Sequence, residues 1–260
     1  MIESPRFDHL VALTDRYGTF EHAEHATPRR EHGYCVDDVA RVLVVSAREP
    51  RPNASVRSLA QGSMAFVAEA MGPRGECRNR RSADGSWTSE GSTEDCWGRS
   101  LWGLGTAAAC SQFAVAGPAL VFFERAAAQR SQYPRSMAFA VLGAAAVLGL
   151  DPRNVPARSL MDDAVDAMFE VGADPAWPWP EPRLYYANAL LPDAMMLVSR
   201  KPEIGISGKP SMLIITGGNF SKATVARQRL TLMLSTTILR NTGVRSETRV
   251  SEEFTLASRT

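Results

Sequence analysis

Apolar residues recur three or four positions apart through most of the first 198 residues, with polar residues filling the gaps. That period puts one stripe of each segment on a core face, which predicts helices rather than strands. Ala, Leu and Met dominate these segments and favour helix again. The pattern predicts helices over about 5–15, 37–48, 56–71, 94–112, 118–130, 134–149, 157–171 and 184–198. Gly72-Pro73, Gly117-Pro118, Asp151-Pro152 and the Pro-rich run ADPAWPWPEPR, residues 173–183, separate them. No strand alternation precedes residue 200.

A weak repeat orders the helices. RVLVV from Arg41, RSLWGLG from Arg99, RSMAFAVLG from Arg135 and RLYYANALL from Arg183 each open an apolar helix rich in small residues on an Arg. The segments between are more amphipathic, as in SVRSLAQGSMAFVAEAM from Ser55 and SLMDDAVDAMFEV from Ser159. Alternating apolar and amphipathic helices suit two layers, the inner packed on both sides and the outer wetted on one. The predicted fold is therefore all-α, an (α/α)6-type toroid of helical hairpins. About four inner helices fall before residue 198, so the ring is incomplete. Residues 1–198 are the partial toroid and 199–260 a divergent tail. There, KPEIGISGKPSMLIITGGNF reads as loop and strand, and QRLTLMLSTTIL fits either a helix or a buried strand.

Charge sharpens that boundary. The chain has a net charge of +1, yet residues 1–200 hold 20 basic and 24 acidic residues while 201–260 hold 9 and 4. Sixteen of the last 60 residues are Ser or Thr, and none is Asp, Trp or Tyr. Near-neutrality argues against a nucleic-acid binder, which needs a concentrated basic face. The longest apolar stretch, Met137 to Leu150, is 14 residues and too short to span a bilayer. The opening MIESPRFDHL reads as no signal peptide, and the four cysteines (35, 77, 96 and 110) lack metal-ligand spacing. A cytoplasmic protein with free thiols and no membrane partner is expected.

The segments that precede the inner helices concentrate carboxylates, aromatics and Arg. The first, TFEHAEHATPRREHGYCVDDVAR, carries His32, Tyr34, Asp37, Asp38 and Arg41; the second, DGSWTSEGSTEDCWGR, carries Glu94, Asp95, Trp97 and Arg99. The last, WPWPEPRLYYAN, carries Trp177, Trp179, Glu181, Arg183, Tyr185, Tyr186 and Asn188. In a ring these loops open on one end. Carboxylates for proton transfer beside flat aromatic faces are what a pyranose site needs. The plainer reading of Asp37-Asp38 and Glu94-Asp95 is stabilisation of helix N-termini. Arg41, Arg99 and Arg183 either hold carboxylates in place or contact an acidic substrate group. His22 and His25 lack a third ligand in register, so no metal is expected; His32 is instead a hydrogen-bond donor to a ligand. No dinucleotide, phosphate-loop or nucleophile-elbow motif is present, and no cofactor is expected.

The run HLVALTDRYGTFEHA, then HGYCVDDVARVL, STEDCWGRSLWGLG and WPWPEPRLYYANALLPDAM, resembles a bacterial domain family assigned to the six-hairpin glycosidase-like superfamily, found alone or fused to a glycosyltransferase. The resemblance covers about residues 9–195. It implies a carbohydrate-related role, with an oligosaccharide or glycoconjugate as ligand and a glycosyltransferase as possible partner. The family motifs fall on Asp15, Gly18, His22, Gly33, Tyr34, Cys35, Asp37, Asp38, Arg41, Glu94, Asp95, Gly98, Arg99, Trp179, Glu181, Asn188 and Asp193. Val39 departs from them, since a polar residue is expected there. The match stops inside a helix near Met196, so the tail is read as shifted-frame or disordered sequence. For a hydrolase, Asp38 facing Glu94 or Asp95 is the expected catalytic pair, with Glu181 as third candidate. The alternative is a non-catalytic sugar-binding or scaffold domain. Tyr34, Trp97, Trp177 and Trp179 are the expected subsite walls.

Overall fold

The computed structural model describes residues 5–110, 114–169, 176–177, 179, 181 and 183–199; from Arg6 onward these belong to one compact unit. The tail expected at 199–260 lies, apart from Ser199, outside the described residues. The protein is all-α. Its helices are α1 (Asp8–Ala12), α2 (Val36–Ala47), α3 (Ala54–Ala70), α4 (Asp95–Ala109), α5 (Ala116–Ala126), α6 (Pro134–Leu150), α7 (Val155–Phe169) and α8 (Leu190–Ser199). Four two-residue strands also occur: β1 (Ala23–Glu24) pairs antiparallel with β2 (Thr27–Pro28), and β3 (Tyr34–Cys35) with β4 (Arg80–Arg81). They pin loops and form no layer of their own.

Every predicted helical segment contains a helix, with ends displaced where side chains compete for the backbone. Helix α1 is much shorter than 5–15. The Thr14 hydroxyl donates to the Leu10 carbonyl at 2.6 Å, and the Asp15 carboxylate accepts from the Tyr17 and Gly18 N–H groups at 2.9 and 3.3 Å, which turns the chain. Helix α8 starts at Leu190 instead of 184. Its approach contains Ala187 at φ 50°, and the Asn188 amide holds Tyr185 by both its N–H and its carbonyl, at 3.0 and 2.6 Å. A left-handed residue beside a side-chain-bonded turn is not helical backbone.

Helices α2, α4, α6 and α8 pack side by side in that order, while α3, α5 and α7 lie against α2, α4 and α6. Twelve of the 15 residues of α4 are buried, against three of the 11 in α5, so the even-numbered helices form the inner layer. Glycine lets α4 and α6 touch backbone to backbone. A Cβ at Gly143 would stand 2.1 Å from the Leu101 carbonyl oxygen, and one at Gly98 would stand 2.3 Å from that of Ser136. Gly105 meets Gly143 in the same register, so the two helices run parallel. Asp37 facing Arg99 and Ala40 facing Gly103 make α2 parallel to them. Three inner helices therefore begin at the same end. Among the described residues no helix is long and apolar enough to cross a membrane.

Candidate functional site

At their shared end the inner helices start without side-chain caps. Cys35 before α2, Glu94 before α4 and Tyr133 before α6 make no side-chain capping bond. The acidic residues of the first turns, Asp37, Asp38 and Asp95, gain from the helix dipole, yet their side chains turn to other partners. Loop pairing delivers them. Strands β3 and β4 hold the start of α2 beside Asn79, whose side-chain oxygen accepts from the Cys35 thiol at 3.2 Å.

Arg99 sits at the centre. Its Nε lies 3.6 Å from Asp37 Oδ1 and its Nη2 lies 3.9 Å from Asp95 Oδ2, while its guanidinium stacks 4.1 Å from the Phe139 ring centroid. Asp95 also accepts from the Ser136 hydroxyl at 3.0 Å and from the Tyr186 hydroxyl. Arg135 pairs with Glu181 and lies 4.4 Å over the Tyr186 ring. Thus α2, α4, α6 and the segment before α8 supply one network: Asp37, Arg99, Asp95, Tyr186, Arg135 and Glu181. Both guanidinium side chains are over nine-tenths buried, at 9% and 5% exposure.

The network is not fully satisfied. Asp37 Oδ1, Arg99 Nε and Arg135 Nη1 are buried without a hydrogen-bond partner. The Arg99–Asp37 ion pair is slightly too long for a hydrogen bond. Each such atom costs about 1–3 kcal/mol in a closed interior. Burial pushes the Asp37 carboxyl above its ordinary pKa; Asp95 and Asp38 push the same way, against Arg99 and Asn79. Burial, with the Asp95 charge beside it, raises the Tyr186 hydroxyl to about 12, so at neutral pH it is a donor.

Several expected site residues lie elsewhere. Trp97 has no exposed surface and its indole N–H donates to the Ala126 carbonyl at 3.1 Å, tying α4 to α5. Tyr34 is equally buried, stacked on Phe20 and bonded to the Asp15 carboxylate at 2.8 Å. Neither ring can form a subsite wall, because a sugar needs an exposed face. Asp38 turns to Arg41 rather than toward Asp95; Asp37 is the carboxylate that shares Arg99 with it. Glu94 is exposed at the start of α4. His32 is on the surface with its ring against His22. Arg183 stacks on Tyr185, and Asn188 shapes the turn that presents it. Trp177 is 39% exposed, with its N–H on the Glu181 carbonyl at 2.7 Å. Trp179 is half-buried with its N–H unpaired.

Residue spacing did not single out Arg135 and Ser136 as site residues, and Tyr186 was legible only as one aromatic of the third loop. The repeat itself carried the signal for Arg135, which opens an inner helix as Arg99 does. A second group, Glu21, Cys35 and Asp38, brings three ligand atoms within 4.8 Å of one another. Arg80 pairs with Glu21 and Arg41 with Asp38, and burial raises the Cys35 thiol to about 12. A protonated thiol between two neutralised carboxylates does not fit a cation. A scan against protein-family models and a search of curated proteins each find no match to this chain.

Proposed function

We propose that the common end of the inner helices binds and processes a saccharide, in a partial α/α toroid. The observation that carries this reading is the convergence of Asp37 and Asp95, from two different helices, on one buried guanidinium. Exposed aromatic rings lie alongside: Tyr185 and Tyr186 are 43% and 55% exposed. Flat rings of this kind receive the apolar face of a pyranose, and paired carboxylates cleave a glycosidic bond. Asp37, kept protonated to higher pH by burial, is the proton donor to the leaving oxygen. Asp95, held by Ser136 and Tyr186, is the partner carboxylate acting as base or nucleophile.

One observation favours a second reading. Both oxygens of Asp95 are already engaged, Oδ1 by Ser136 and Oδ2 by Tyr186, which suits a site that binds sugar without cutting it, as in a scaffold beside a glycosyltransferase. Product analysis after incubation with neutral gluco-, manno- and galacto-oligosaccharides separates the two. Hydrolysis that falls at least about 100-fold in Asp37→Asn supports the catalytic role. Binding without products supports the scaffold. Wild-type turnover in Asp37→Asn removes Asp37 from the chemistry.

A further inference from the structure

Two of the four cysteines are placed against each other. Cys77 and Ser92 form an antiparallel bridge, each N–H donating to the other's carbonyl at 2.9 Å. Helix α4 begins three residues after Ser92 and sets its first turns against that bridge. The Cys96 thiol donates to the Cys77 carbonyl at 3.4 Å and lies 3.7 Å from the Ser92 hydroxyl. The Cys77 thiol lies 3.3 Å from the Ser100 hydroxyl, and Ser100 is four residues beyond Cys96, on the same face of α4. The two thiols therefore meet on one helix face and bond to each other. That contact is the main cause that holds Cys77 above its ordinary pKa and Cys96 below it. Both are buried, at 0% and 2% exposure. A buried cysteine alone acts as a small apolar residue; a second thiol in contact makes a two-electron couple.

We propose that Cys77 and Cys96 are a reversible redox pair, closed by a peroxide into a disulfide that staples the segment between α3 and α4 to the first turn of α4. Cys96 has the more acidic thiol and the greater exposure, so its thiolate attacks the peroxide. An S–O bond forms as the O–O bond breaks, and the departing hydroxide takes up the proton Cys96 released. The Cys77 sulfur then attacks the Cys96 sulfenic sulfur; the S–S bond forms, and the hydroxyl leaves with the Cys77 proton as water. Two thiols and one peroxide give one disulfide and two waters, and a reducing dithiol restores the pair. Cys35 is engaged by Asn79 and Cys110 lies at the opposite end of α4, which leaves Cys77 as the resolving thiol. The pair follows Asp95 directly yet needs no saccharide to form.

The test is peptide mapping of the folded full chain after hydrogen peroxide, with free thiols alkylated in denaturant before digestion. Trypsin leaves Cys77 in residues 75–78 and Cys96 in residues 82–99, so their link gives a new peptide two hydrogens lighter than the sum. That peptide should form in wild type and in Cys35→Ser, vanish after dithiothreitol, and be absent from Cys96→Ser. Because the bond closes a loop of about 20 residues, the oxidised chain should melt about 5 °C or more above the reduced one. Peroxide that leaves both cysteines alkylatable, or carries Cys96 to a sulfinic acid without a link, overturns the pair. A link that does not raise the melting midpoint overturns the staple.

Discussion

Two of the three outer helices begin behind a side-chain cap, whereas α5, behind Val115, and the inner helices α2, α4 and α6 do not. In the outer layer, α3 starts behind Asn53, whose side chain accepts from the Val56 N–H at 2.9 Å, and α7 starts behind Asn154, which accepts from the Ala157 N–H at 3.0 Å. These asparagines stabilise their helices and touch nothing else of consequence, Asn154 apart, which also donates to Glu124. In the inner layer, α2, α4 and α6 begin with no side-chain cap, and their polar residues turn to one another across helices. The same chain thus has the means to cap a helix and does not use it at the end where carboxylates from different helices meet, nor at α1 and α5. At that shared end Asp37 Oδ1, Arg99 Nε and Arg135 Nη1 are buried without a hydrogen-bond partner. That is the pattern expected where binding groups are held ready at some cost to the fold.

The contrast between layers can be attacked first through glycine. Gly143→Val places a side chain against the Leu101 carbonyl at 2.1 Å and should cost at least about 4 kcal/mol or abolish cooperative unfolding. Gly62→Ala in α3, where nothing lies within 4 Å, should instead stabilise by about 0.5–1 kcal/mol. Urea denaturation distinguishes them, and equal effects would erase the distinction between layers. Next comes charge. Arg99→Met leaves Asp37 and Asp95 without their shared counter-charge and should cost about 3 kcal/mol. By contrast, Asp163→Asn, which breaks the partly exposed pair between Asp163 on α7 and Arg130 of the α5–α6 connection, should cost less than about 1 kcal/mol. Smallest among the losses are the caps: Asn53→Ala should reduce stability by about 1 kcal/mol.

Much of this was legible in the residues, for physical reasons. Helical spacing and the alternation of apolar with amphipathic segments exposed the layers, because burial on one side or two leaves its mark on composition. The recurrence of Arg at inner-helix starts pointed to one polar end. What spacing could not convey was direction. Asp37 and Asp38 are adjacent on a helix and point about 100° apart, so only packing decides that Asp37 reaches Arg99 while Asp38 goes to Arg41. Trp97 and Tyr34 stand among site residues in the sequence, yet their neighbours Ala126 and Asp15 are distant along the chain and claim them for the core. Tyr186 stood among the aromatics of the third loop, but its bond to Asp95, 91 residues away along the chain, left no trace in spacing.

Asp37 carries the pH dependence that separates a binding residue from a structural one. Its folded pKa is raised by burial, so the protonated form favours the fold. That contribution is present below the ordinary carboxylate pKa of about 4 and is lost as pH rises through the higher folded value. Asp37→Asn removes the titrating group and should flatten stability across that window. The most direct measurement is therefore the unfolding free energy of wild type and Asp37→Asn, by urea denaturation from about pH 4 to about pH 7. The variant should equal or exceed wild type at neutral pH, with the difference growing from acid upward. A loss of about 1 kcal/mol at neutral pH, like that of a removed cap, would make Asp37 a stabiliser of α2 and contradict its assignment to a site.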